Sequence, residues 1–191
     1  MSIKSLKDII EQQKKEEENE QSFDASEQIN DYISLVEKLY DLFISSVDEL
    51  IKEGLIKETR EKIKISEEYL GEYEIDSLIL SINSNKIKLI PAGTMLIGSK
   101  GRVDVFGPFG SEKFMLIRKG VKSPSDLVKI KVHISGIDHE RKEEKEEKEE
   151  RKKITIADWE WKTMPSDNRW VRFDDVNSET VTNIIMRMIN G

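Results

Sequence analysis

Apolar residues change their spacing partway along this chain. Ile29, Ile33, Val36, Tyr40, Phe43, Val47, Leu50 and Ile51 recur every three to four residues, whereas Leu78, Leu80 and Ile82, then Ile87 and Leu89, recur every second residue. The first period is that of an α-helix with a buried face, the second that of half-buried strands. After Leu78 the strand-like runs are separated by turn formers rather than by helices, which excludes βαβ units. The expected class is α+β: an N-terminal helical segment, a strongly curved antiparallel sheet of about seven strands, and a C-terminal amphipathic helix.

This divides the chain into an N-terminal arm over 1–25, partly disordered or helical, and a single α+β domain over 26–191. The domain opens with a long helix, 26–54, which Gly54 stops. Residues 55–75 carry mixed signals, because KIKIS alternates like a strand while SEEYLGEYE can form a helical turn. The β-rich part spans 75–174. Its hairpin turns at Asn83-Ser84-Asn85, and further strands are expected at Thr94–Ile97, Arg102–Phe106, Lys113–Arg118, Val128–Ile134, Ile154–Lys162 and Arg169–Phe173. The closing helix, 177–190, starts at an Asn177 or Ser178 cap and carries Val181, Ile184, Ile185, Met188 and Ile189 on one face.

Composition narrows the chemistry. The 191 residues include 31 basic and 38 acidic ones, a net charge of −7, and no stretch is strongly basic, so nucleic acid is disfavoured as a ligand. The absence of cysteine removes thiol nucleophiles, disulfides and thiolate metal sites. Two histidines, His133 and His139, leave Asp138-His139-Glu140 as the sole clustered ligand set, and neighbours on one exposed loop seldom converge on an ion, so no metal and no cofactor is expected. No long apolar span and no signal-peptide core are visible, which points to a cytoplasmic chain without a membrane association. The run Glu140–Lys153 is charged at all fourteen positions, seven acidic and seven basic, and reads as a solvated insertion without an apolar face.

Two short motifs resemble known functional loops. Gly98-Ser99-Lys100-Gly101 is similar to the phosphate-clamping GxxG loop of KH domains, but that loop opens a helix and here a strand pattern, Arg102–Phe106, follows. Tight turns within the glycine-rich stretch 91–110 account better for it. Asp104 with Glu160-x-Lys162 resembles the restriction-endonuclease-like core, in which two carboxylates hold a divalent metal and a lysine steadies the attacking water. That resemblance implies a metal-dependent nuclease using Asp104, Glu160 and Lys162. It departs from the family in the long Asp104–Glu160 separation and in the missing helix after the Glu-x-Lys strand, and a solvent-facing charged strand is the preferred interpretation.

The leading expectation is therefore non-catalytic: a protein-interaction or accessory subunit of a larger intracellular assembly, of which immunity-type or defence-associated proteins are examples. The long helix carries apolar residues beyond one face, with Tyr32, Leu35, Leu39 and Leu42 around the side, and a sheet covers only one helix face. These four and Trp159 are the candidate partner-binding residues, the partner being another protein or a second copy of this chain. Trp159 and Trp161 share a strand face with Ile154 and Ile156 only if the face changes between Ile156 and Trp159, as a bulge at Ala157-Asp158 would allow.

Overall fold

The computed structural model describes residues 24–94, 98–127, 155–163 and 172–190. The expected strand Val128–Ile134, Met95–Ile97 and Arg169–Val171 of two further expected strands, both histidines, the charged run Glu140–Lys153 and the arm before Asp24 lie outside the described residues; Thr94, Arg172 and Phe173, the described parts of those two, are not strand.

Helix α1 (Ala25–Ser46) begins where Asp24 Oδ1 accepts the amides of Ser26 and Glu27 at 2.8 and 3.1 Å, satisfying two donors that the first turn would leave unpaired. It buries Tyr32, Leu35, Val36, Leu39, Tyr40 and Phe43. The helical run expected to continue to Gly54 is interrupted at Val47. The Ser45 and Ser46 hydroxyls both donate to the Leu42 carbonyl, and Val47 leaves helical geometry. A short second helix, α2 (Asp48–Lys52), then ends in a Schellman motif. Gly54 at φ +75° lets the Leu55 amide reach the Leu50 carbonyl at 2.9 Å, while its own amide bonds the Ile51 carbonyl.

The residues with mixed signals form a hairpin, β1 (Ile56–Glu67) with β2 (Gly71–Ile82), in unbroken antiparallel register from Ile56↔Ile82 to Glu67↔Gly71. Period two in KIKIS prevailed over the helical alternative because Gly71, at φ +76°, closes the turn. Strand β3 (Asn85–Gly93) follows through the two-residue turn Asn83-Ser84, with Asn83 in the left-handed region at φ +54°. β4 (Arg102–Gly107) and β5 (Gly110–Arg118) are joined by Pro108-Phe109. After a 3-10 turn at Pro124–Leu127, a second one, Ile156–Asp158, leads into β6 (Trp159–Thr163), and β7 (Asp174–Asp175) precedes helix α3 (Ser178–Asn190).

The described strands form one antiparallel sheet in sequence order, β1 to β7, beside helices, an α+β fold. The strong curvature expected from the glycines of 91–110 is not present. The sheet is open, with β1 and β7 at its two edges. Those glycines serve other ends: Gly93 sits at a register shift in β3, and Gly101 and Gly107 admit Tyr32 and Met188 at distances a side chain would block.

Both long helices lie on the same face. Leu78, Leu80, Ile87, Leu89, Val103, Val105, Phe114 and Leu116 point toward them and are buried with the apolar faces of α1 and α3. Phe43 meets Phe114 edge to face at 5.5 Å between ring centroids. Full burial of side chains of this size contributes about 1.5–3 kcal/mol each.

Candidate functional site

The candidate partner-binding residues of α1 are covered by the chain itself. Tyr32, Leu35 and Leu39 are buried, and only Leu42 stays half-buried. Two helices rather than one share the sheet face: α3 packs against α1, and Trp161 on β6 donates its Nε1 to the Leu35 carbonyl at 2.8 Å. The apolar width of α1 thus has an intramolecular explanation. Trp159 is half-buried against the same core, its Nε1 buried without a hydrogen-bond partner among the described residues. The face change required near Ala157 is made by the 3-10 turn Ile156–Asp158. Asp158 Oδ2 accepts from the Thr155 amide at 2.7 Å and hydroxyl at 3.1 Å, and these bonds hold its exposed carboxyl below the usual range.

The three residues of the nuclease resemblance lie on the sheet face away from the helices but form two separate groups. Asp104 pairs with Arg102, Nε to Oδ1 at 3.0 Å. Lys162 pairs with Glu160 at 3.0 Å and with Asp175, its partner in register on β7. β5 runs between the groups, and the register aligns Lys162 with Met115 and Arg102 while Asp104 faces Lys113. The ammonium of Lys162 lies between the two carboxylates it binds, and its ion pairs raise its pKa against the cost of burial. Two open clefts, of about 330 and 340 Å³, flank this ion cluster, one lined also by Lys122, Arg172 and Phe173, the other by Lys38, Leu42 and Val176. Among the described residues no group of three or more His, Asp or Glu is placed to hold a metal ion.

A different surface stands out for its exposed apolar side chains. Leu50, Leu55, Tyr69, Phe106, Phe109 and Met186 are the large apolar side chains left exposed among the described residues. Antiparallel order puts the α2–β1 junction, the β2–β3 turn and the β4–β5 turn at one end of the sheet, and the β1–β2 turn at the other. The C-terminal turns of α3 reach that first end too, since the Phe109 amide bonds the Met188 carbonyl at 3.1 Å. Five of the six exposed residues therefore share one end, and Tyr69 alone occupies the opposite one. Spacing did not single them out. Leu50 continues the buried period of α1 in the sequence, but the break at Val47 rotates it outward, and Phe109 reads as part of a turn.

That end also carries a buried charge. Glu112 is almost wholly covered and bonds Arg187 of α3, whose side chain is half exposed. Burial pushes the Glu112 carboxyl up, against the opposing attraction of Arg187. No protein-family model matches this chain, and neither does any curated protein or solved structure.

Proposed function

We propose that the chain is a non-catalytic interaction module, an accessory subunit of a larger intracellular assembly, that docks on a protein partner through the end bearing Leu50, Leu55, Phe109 and Met186, with Phe106 at its margin on the outer sheet face. The observation that carries this reading is their segregation: scattered exposed apolar residues are ordinary, whereas five at one end and one at the other are not. Aromatic and methionine side chains on turns and helix ends are typical anchors, filling pockets on a partner at little conformational cost. The paired ions of Asp104 and Lys162 add no competing catalytic reading, because each is engaged within the fold.

The test compares affinity capture from native cells by the wild-type chain and by a Leu55→Glu/Phe109→Glu variant. A partner retained by the wild type and lost by the variant, with the melting temperature of the variant unchanged, is the expected result. Retention of the same partner by both would place the interface elsewhere.

A further inference from the structure

We propose that the sheet face opposite the helices binds single-stranded nucleic acid through Lys57, Lys86, Lys88 and Lys113 around the ring of Phe106. These lysines are dispersed over 57 positions of the sequence, among acids, so no basic stretch marks them. The register gathers them. Lys57 pairs with Ser81 and Ser81 with Lys86; Ile79 pairs with Lys88, Lys88 with Phe106 and Phe106 with Ser111; Lys113 lies on the next row beside Asp104. Strand alternation also sorts the neighbouring acids away. Glu58 faces the helix side opposite Leu80, and Glu112 is buried there under Arg187, while Lys57 and Lys113 stay outside. Among the acids on this face, Asp104 is paired with Arg102, Glu160 and Asp175 are paired with Lys162 on β6 and β7, and Glu61 lies at the β1 edge. All four lysines are exposed, and none forms an ion pair among the described residues; Phe106 is 45% exposed.

The position of the patch selects the ligand. Lys86, Lys88, Phe106 and Lys113 lie on the interior strands β3, β4 and β5, which have a paired strand on either side, so a peptide cannot add beside them as a further strand; Lys57 alone is on the edge strand β1. What remains is a set of mobile point charges around one aromatic face, which suits phosphates and a stacked base. A duplex hides its base faces from such a ring, so a single strand is the fitting form. Lysine rather than arginine, and one ring rather than several pockets, give binding without base preference.

Fluorescence anisotropy of a labelled oligouridylate of about 20 nucleotides, titrated with the whole chain at about 50 and 200 mM salt, reads this directly; four phosphate contacts predict a loss of roughly 50-fold between those conditions. Lys88→Ala and Lys113→Ala should each flatten the salt dependence, whereas Phe106→Leu should weaken binding about tenfold and leave that dependence unchanged. These positions are exposed, and thermal melts of the variants confirm folding. Absence of binding at millimolar protein would overturn the proposal, as would equal affinity for a duplex of the same length or unaltered binding by Lys88→Glu/Lys113→Glu. Displacement of the oligonucleotide by poly-L-glutamate at matched charge would overturn it too, assigning the face to an acidic protein instead.

Discussion

The ring of Tyr32 lies so close to Gly101 that a Cβ at position 101 would stand 2.4 Å from Tyr32 Cε2. From there the Tyr32 hydroxyl donates to the Arg102 carbonyl at 2.6 Å and accepts the Gly93 amide at 3.3 Å. One side chain on α1 thus clamps the end of β3 to the start of β4. Gly101 is needed for space alone, since no left-handed φ occurs there.

Gly101→Ala should accordingly destabilise the fold by about 2–3 kcal/mol through overpacking, and Tyr32→Phe by about 1–2 kcal/mol through two lost hydrogen bonds. Urea unfolding measures both. A Gly101→Ala protein as stable as the wild type would mean that the ring moves aside freely.

Burial raises the pKa values of Tyr32, Tyr40 and Tyr73 above the ordinary phenol range, and for Tyr73 the hydrogen bond to Glu67 adds to it. The unfolded chain loses these protons first, so the stability they contribute is complete below about pH 10 and falls as the pH rises beyond it. In an alkaline titration followed by phenolate absorbance, three of the four tyrosines should ionise together with loss of the circular dichroism signal. Their ionisation in a still-folded protein would contradict the buried placement.

Glu112 has the opposite chemistry and the same sign. Its carboxyl is pushed up by burial, so the folded chain holds the proton longer than the unfolded one, and the group's contribution to stability declines as pH rises from about 4 toward neutrality. Glu112→Gln should be as stable as the wild type at pH 7 or up to about 1 kcal/mol more stable, with the difference vanishing near pH 4, because Arg187 is exposed enough to remain hydrated. A loss of several kcal/mol at pH 7 would show that the ion pair outweighs the desolvation.

The clamp at Gly101 also shows where sequence reading stops. Apolar period located α1, the hairpin at Asn83 and α3, because each of these elements announces its buried face through side chains a few residues apart. The β1–β2 hairpin was half legible: KIKIS alternates, but SEEYLGEYE does so only once Gly71 is known to turn the chain. The glycines at 93, 101 and 107 signal a bend in sequence terms, yet two of them answer to Tyr32 and Met188, 69 and 81 residues away. Such demands are set by tertiary contacts and leave no local trace. The same holds for both candidate surfaces, since the lysines of the outer face and the exposed end are assembled by register from separate strands.

The interaction reading is tested most directly by photocrosslinking from within the surface it names. A photoreactive phenylalanine placed at Phe109, 58% exposed, is compared in native cells with one at Tyr69, 68% exposed at the opposite end of the sheet. The account predicts a discrete crosslinked protein from position 109 that is missing from position 69 and is suppressed by Leu55→Glu. No discrete adduct from position 109, or the same adduct from both ends, would contradict it.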